Sequence, residues 1–373
     1  MSERGLVIVA LSGGVDSAVA ALLLREAGYR VECLHMTNWH DDGYCDAAAD
    51  FQDARSVCRD LGLPLHRVDF SREYRAQVFE HFLEEHRRGR TPNPDVLCNR
   101  EIKFGVMREY ARRLGAQALA TGHYARLERR ADGIALLKAR DASKDQSYFL
   151  CAVAQRDLEG VLFPLGELEK REVRRLARQA RLPVADKRDS TGICFIGERP
   201  FAEFLSRYVP AEPGPIRASD GRVLGTHRGL ACYTLGQRQG LGIGGVAERP
   251  EAPWYVAAKI PETNELIVVQ GHDHPLLFRR SLIATDPHWI GRAPGGLDAG
   301  AAVPCAAKIR YRQPDQACTI RRVGEREIEV RFERPQRLPT PGQYAVFYDG
   351  ERCLGGAVID RTEDPAAALP GAA

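Results

Sequence analysis

A doubly wound parallel α/β sheet, followed by smaller β-rich modules, is the fold class this sequence predicts, and three observations predict it. The chain opens on an unbroken apolar run, Leu6-Val7-Ile8-Val9-Ala10-Leu11, the pattern of a strand buried on both faces. Strand-type and helix-type patterns then alternate as far as Thr121, as crossover helices between parallel strands require. Near Tyr208 the texture changes to short β-type runs with many glycines.

The elements follow in order. After Ser12-Gly13-Gly14-Val15-Asp16-Ser17, the run Ala18–Leu24 predicts a helix ending near Gly28. Val31–Met36 reads as the second strand, an Ala/Asp-rich helix spans about Ala47–Leu61, and Leu65–Phe70 is the third strand. A helix from about Ser71 to Arg88 leads to the loop Gly89–Asp95, and another near Ile102–Leu114 precedes a fourth strand, Ala116–Thr121, ending in Gly122-His123-Tyr124. Ligands of such sheets sit beyond the carboxyl ends of the strands. Ser12, Met36 and Gly122 all fall at such ends, so three segments converge on one pocket.

Pro210, Pro213, Gly214 and Pro215 mark the boundary of the first domain. The expected division is 1–207 for the α/β domain, 208–280 for a small β-rich domain, 281–362 for a second β domain and 363–373 for a disordered Ala/Pro-rich tail. The runs Ala306–Tyr311, Glu327–Phe332 and Gln343–Tyr348 suit a small barrel or sandwich; a barrel is the expectation carried forward.

A net charge of +3 over 373 residues neither demands nor excludes a nucleic-acid partner. The ten cysteines (33, 45, 58, 98, 151, 194, 232, 305, 318 and 353) form no CxxC pair, which argues against a zinc ribbon. No signal peptide and no membrane-spanning run is visible. The expectation is a cytoplasmic protein whose cysteines are thiols.

A strand, a glycine turn and a helix N-terminus together make an anion site, because free N–H groups and the helix dipole favour negative charge. Gly13 and Gly14 permit close approach of phosphate, Ser12 and Ser17 add hydroxyls, and Asp16 is a candidate Mg²⁺ ligand. No Gly-Lys-Ser/Thr follows, so this is not a kinase-type P-loop. The pattern resembles the pyrophosphate loop of enzymes that split ATP into AMP and pyrophosphate. Its simpler reading is a glycine turn with a serine cap.

Cys98 and Cys194 stand apart by their surroundings. Cys98 follows the proline-stiffened Pro92-Asn93-Pro94-Asp95, with Arg100 and Lys103 close by; Cys194 lies in Asp189-Ser190-Thr191-Gly192-Ile193-Cys194-Phe195. A loop cysteine near a helix N-terminus and cations is either an activated nucleophile or a small buried hydrophobe. Cys33 and Cys58 fit the second role. His35, His40, His66 and His81 show no metal pattern. The helix from Glu169 to Arg181, with six basic and two acidic residues, reads as a solvated face in preference to a phosphate contact.

Several blocks together resemble the bacterial tRNA-specific 2-thiouridylase family: the glycine loop, Arg90–Asp95, Cys98-Asn99, Thr121–Tyr124, Lys144–Leu150, Ser190–Arg199, Thr234–Arg238 and Arg310–Gln313. They occur in the expected order over roughly residues 6 to 360. The resemblance implies an adenine-nucleotide α-hydrolase-like first domain and ATP-dependent replacement of O2 by sulfur in the wobble uridine of tRNA. It places ATP against Ala10, Leu11, Ser12, Gly13, Gly14, Val15, Asp16 and Ser17, with Met36 and Gly122 near the adenosine. It makes Cys194 the persulfide carrier, Cys98 the nucleophile and Asp95 the acid or base at the target base, although a helix-capping carboxylate is the plainer role for Asp95. A Cys98–Cys194 disulfide would close the cycle. The implied tRNA contacts are Asn93, Pro94, Asp95, His123, Lys144, Asp145, Gln146, Arg310, Tyr311 and Gln343, on loops suited to a flipped base. The implied partners are tRNA and a sulfur-donor protein, a persulfide carrier or a cysteine desulfurase.

Three alternatives remain at the level of sequence. An ATP-dependent amide or guanidine ligase explains the glycine loop but not Cys98 and Cys194. A non-catalytic RNA-binding protein leaves the intact loop unexplained. An iron–sulfur cluster on Cys98, Cys194 and Asp95 is an unfavoured variant of the mechanism.

Overall fold

The computed structural model of the chain describes residues 4–40, 47–189, 193, 195–197, 199–244 and 252–362. Cys194 and the tail 363–373 therefore lie outside the described residues. In chain order the first part carries β1 (Arg4–Ala10), α1 (Val15–Glu26), β2 (Tyr29–Thr37), α2 (Ala47–Leu61) and β3 (Leu65–Asp69). Two long interrupted helices follow, then β4 (Ala118–Ala120), a hairpin of β5 (Arg126–Arg130) and β6 (Gly133–Leu137), and β7 (Val161–Leu162). Strands β3-β2-β1-β4-β7 form one sheet in that order, with every pairing parallel. Val7, Ile8 and Val9 are buried, as a strand sandwiched between helices must be.

Of the two long helices, the first agrees with the sequence reading and the second corrects it. The first runs through Ser71–Tyr74, a π-helical Arg75–Phe79 and Glu80–Arg87. The second starts at Pro94, not near Ile102, and continues through a π-helical Cys98–Met107 to Arg113. Pro94 opens this helix instead of blocking it, since its ring supplies a helical φ and its missing N–H is not needed in the first turn. Cys98 is thus a buried helical residue at the start of a widened turn, not a loop residue.

The middle of the chain forms a sheet of β8 (Gly214–Ala218), β9 (Val223–His227), β10 (Trp254–Ile260) and β11 (Glu265–Gln270), ordered β10-β11-β8-β9. Ile216, Val256, Leu266 and Val268 are its core. The last part holds β12 (Phe278–Trp289), β13 (Val303–Lys308), β14 (Gln316–Arg322), β15 (Glu327–Arg337), β16 (Tyr344–Asp349) and β17 (Arg352–Thr362). These pair antiparallel in the order β12-β15-β14-β13-β16-β17, and β17 returns to β12. The sheet is a closed six-stranded barrel, which removes the free edges an open sandwich leaves.

The barrel is joined to the α/β domain on two sides. The β5–β6 hairpin pairs with β17 through Leu137↔Arg352 and Leu136↔Cys353. Tyr344, Val346 and Tyr348 of β16 enter the same apolar cluster as Ile8, Cys98, Ile102 and Leu119, and the Tyr148 hydroxyl donates to the Tyr344 carbonyl at 3.0 Å. At the opposite end, Thr91 N–H donates to Pro341 O at 2.9 Å. Gly342 there has φ +93°, and a Cβ on it would lie 2.9–3.0 Å from the backbone of Thr91. Gly342→Ala is therefore expected to cost about 1–3 kcal/mol in backbone strain alone, with more from the clash. Urea denaturation measures the loss, and an unchanged midpoint would refute the close approach.

Candidate functional site

The glycine loop is fixed from both ends. Leu11 N–H donates to Leu34 O at 2.9 Å, and its carbonyl is 2.9 Å from Nδ1 of buried His35. Ser12 N–H and Oγ both reach Ser17 Oγ, at 3.2 and 3.1 Å, and Ser17 Oγ donates to Gly14 O at 3.1 Å. Gly13 has φ +85°, and a Cβ there would strike Asp50 O at 2.3 Å. Ala10 to Gly14 thus bring the chain off β1 and into α1, whose first-turn N–H groups have no intrahelical acceptor. Gly122, at the end of β4, backs directly onto that turn: a Cβ on it would lie 2.7 Å from Ser17 N and 2.8 Å from Asp16 C. Met36, half-buried at the end of β2, completes the three strand ends.

Asp16 does not face empty solvent. Lys170 Nζ lies 2.7 and 2.8 Å from its two carboxylate oxygens, and the Tyr124 hydroxyl donates to Oδ1 at 2.8 Å. Burial and the Asp16 charge push the Tyr124 hydroxyl pKa upward, so it stays a donor. Lys170 also meets Asp189 at 2.8 Å, and Asp189 takes Arg174 at 2.7 Å and Lys144 at 2.9 Å. On the other flank, Lys187 binds Asp50, Asp53 and the Gly13 carbonyl. Among the described residues no group of three metal-ligating side chains occurs. A magnesium ion nevertheless fits, since Mg²⁺ is commonly held by one or two carboxylates plus substrate phosphates. An ammonium already spans both Asp16 oxygens, where such a cation would bind.

Cys98 belongs to a different apolar cluster from that of α1, together with Val96, Leu97 and Ile102. Asn99, also buried, donates through Nδ2 to Phe149 O at 3.0 Å, tying the Cys98 turn to the Ser147–Leu150 turn. Asp95 is solvent-accessible, yet the protein packed around it pushes its carboxyl pKa up, while Lys103 opposes that shift. Asn93 caps this helix through its extended backbone, and Pro94 is buried behind it. Cys194 is flanked by described residues whose places are defined. Asp189 belongs to the Asp16–Lys170 network, and Phe195 packs on Phe79 and Phe82 in the cluster that holds Cys98.

The remaining candidates divide by burial. Arg310 is exposed, and the Tyr311 ring packs at a tilt against Phe149 with centroids 4.5 Å apart, its hydroxyl donating to Lys144 O. Gln146 accepts from Tyr124 N–H through Oε1. Gln343 donates to the carbonyls of Thr91 and Pro92 at 2.7 and 3.2 Å, holding the loop ahead of Asn93. Asp145 is buried and accepts from Ala139 N–H, Ser147 N–H and Ser147 Oγ. His123 is buried against Phe104 and Phe163, and that burial pushes its pKa well down, leaving the ring neutral.

Lys170, Arg174, Tyr124, Lys187 and Asp189 were missed by the sequence reading. The helix Lys170–Gln179 was read as a solvated face, but its buried Val173 and Ala177 pack it against α1. That stripe was the available signal, because Lys170 and Arg174 lie one turn apart on the edge it brings to the glycine loop.

Three family profiles match the chain: tRNA methyl transferase HUP domain over residues 5–198, tRNA methyl transferase PRC-barrel domain over 202–270, and Aminomethyltransferase beta-barrel domain over 279–359. The tRNA-specific 2-thiouridylase MnmA of Stutzerimonas stutzeri (strain A1501) is 55% identical over 364 residues, covering 97% of this chain and 96% of that protein. The protein of the same name from Methylococcus capsulatus is 56% identical, covering 95% and 96%. A solved 4-thiouridine synthetase–RNA complex with bound ATP aligns over 55% of this chain and 50% of its own, at 20% identity and a TM-score of 0.32, too low to support any argument.

Gly122→Ala is expected to lower affinity for inorganic pyrophosphate about tenfold, roughly 1.4 kcal/mol, because its Cβ meets backbone that cannot swing aside. Calorimetric titration checks this; unaltered affinity would place the anion elsewhere.

Proposed function

From a chain that belongs to the tRNA-specific 2-thiouridylase family, we propose the following division of labour among its residues. The enzyme is an ATP-using tRNA-uridine 2-sulfurtransferase. Its chemical problem is that a carbonyl oxygen is a poor leaving group. ATP lies on Ala10–Ser17, with Met36 and Gly122 flanking the adenosine, and the N–H groups of α1 receive phosphate. Uridine O2 attacks the α-phosphorus, pyrophosphate departs, and the resulting adenylate makes O2 displaceable. Asp16 would hold magnesium, which neutralises charge on the departing pyrophosphate.

Cys194 carries the sulfur as a persulfide. In one route the terminal sulfur attacks C2 and expels AMP, and the Cys98 thiolate then attacks Cys194 Sγ, breaking the S–S bond to free the thiolated uridine; in the other Cys98 attacks Cys194 Sγ first and expels hydrosulfide, which attacks C2 and expels AMP. Both end in a Cys98–Cys194 disulfide that a cellular thiol reductant must open. Asp95, one helical turn before Cys98, moves the proton at the target base. The observation that carries this reading is the position of the residues flanking Cys194: Asp189 joins the Asp16 network and Phe195 the Cys98 cluster. Loading Cys194 requires a persulfide carrier or a cysteine desulfurase. Because both tRNA and reductant are cytoplasmic, so is the enzyme; no described helix is long and apolar enough to cross a membrane.

For tRNA, Asn93, Pro94 and Asp95 face the flipped uridine, and Lys144, Gln146, Arg310 and Tyr311 contact the flanking nucleotides. Asp145, His123 and Gln343 shape that surface from beneath.

The decisive experiment is nucleoside mass spectrometry of tRNA incubated with ATP and a persulfide donor. Wild type should yield 2-thiouridine at the wobble position, while Cys98→Ser and Cys194→Ser each yield none. Both variants should still release pyrophosphate when tRNA is added, and only Cys98→Ser should retain protein-bound sulfur. Activity retained by Cys98→Ser would overturn the scheme. A second expectation concerns pH. Lys103 holds the Asp95 pKa down against the crowding that raises it, so Lys103→Met should move the Asp95-dependent limb of the pH–rate profile to higher pH. A limb that stays put or moves lower removes Asp95 from the rate.

A further inference from the structure

The glycine loop carries no lysine of its own, yet its carboxylate already holds a cation. Lys170 Nζ is within 2.8 Å of three carboxylate oxygens, two on Asp16 and one on Asp189. It is also held from behind, since its backbone N–H donates to Asp141 Oδ2 at 2.9 Å. Its ammonium lies 5.7 Å from the centre of the Tyr124 ring, and its side chain is only 13% exposed. Arg174 and Lys144 complete the ring around Asp189. Asp16 and Asp189 thus bring two negative charges, and Lys170, Arg174 and Lys144 three positive ones. A carboxylate spanned on both oxygens by an ammonium has no room for a metal ion until that ammonium moves.

We infer that Lys170 is an exchangeable positioning residue: it holds Asp16 and Asp189 while the loop is empty, and turns to phosphate when magnesium-bound nucleotide takes over Asp16. The exchange conserves favourable pairing at each stage. Before binding, the ammonium pairs with both carboxylates; after binding, the metal takes Asp16 and the ammonium meets phosphate oxygens, so no charge is left buried and alone. Burial works against ionisation of Asp189, but hydrogen bonds from Lys170 and Lys144 outweigh it and hold its pKa down to about 2. Asp189 has Arg174 and Lys144 as further partners at 2.7 and 2.9 Å when Lys170 leaves. Asp189, five positions before Cys194, thereby loses one of its three cations.

This inference rests on the proposed placement of ATP at Ala10–Ser17. It makes a prediction of opposite signs that a merely structural lysine would not make. In Lys170→Met, Mn²⁺ alone, read by electron paramagnetic resonance of the free ion, should bind more tightly than to wild type by about tenfold, since Asp16 loses the ammonium that pairs with it. Inorganic pyrophosphate without metal, read by calorimetry, should bind about tenfold more weakly, since a phosphate contact is lost. Lys170→Arg keeps the charge and should stay near wild type on both measurements, which also shows that the site still folds when this position changes. If Lys170→Met weakens both ligands, or moves neither, the exchange is refuted. If wild type itself fails to bind pyrophosphate, the nucleotide placement fails and this inference falls with it.

Discussion

The placement of Asp95 and Cys98 depends on how the loop Gly89–Asn93 is gripped. All three parts of the chain hold it. The barrel supplies Pro341 O to Thr91 N–H and Gln343 Nε2 to the Thr91 and Pro92 carbonyls. The central sheet supplies Lys259, whose ammonium donates to Gly89 O at 3.0 Å, and Thr234, whose hydroxyl is 3.4 Å from that of Thr91. Within the loop, Arg90 reaches Asp360 of β17 and buried Glu85. A loop with this many backbone partners from separate domains cannot move without disturbing all of them. Its rigidity passes into the helix opened by Pro94, and so to Asp95 and Cys98.

The apolar interior reinforces that arrangement. Cys98, Ile102, Tyr148 and Tyr344 share one cluster, so the barrel is seated on the α/β core, not tethered beside it. Burying Lys259 at the central contact lowers its pKa to about 8, a cost that its hydrogen bond to Gly89 O offsets only in part. Such a costly contact is tolerable because the three domains are stabilised elsewhere by large apolar surfaces.

What the sequence made legible was what short-range pattern encodes. The strand Arg4–Ala10, the glycine turn and α1 are contiguous, and their apolar runs and punctuation sufficed to predict that strand–turn–helix unit. The closed barrel was only half legible, because closure depends on β12 meeting β17 across some seventy positions of chain, a fact that no local alternation carries. The start of the Cys98 helix was misplaced because two prolines suggested a loop, whereas Pro94 occupies the one helical turn where proline fits. The charged ring around Asp16 was invisible for a different reason. Its members, Tyr124, Lys170 and Asp189, are remote in sequence, and an ion pair leaves no periodic trace.

That remoteness says something about how this nucleotide loop differs from the kinase-type P-loop. There, the phosphate-binding lysine belongs to the motif and its charge is delivered with the turn itself. Here Ser12-Gly13-Gly14-Val15-Asp16-Ser17 delivers backbone donors and one carboxylate but no cation. The positive charge comes from Lys170, 154 positions away on a helix packed against α1. A loop built in this way reaches charge balance only when the fold is complete. The same helix edge carries Arg174, which fixes Asp189 just ahead of Cys194. Separating cation from motif therefore lets one short helix hold both Asp16 in the glycine loop and Asp189 far along the chain, which under the proposed scheme joins the nucleotide to the sulfur carrier.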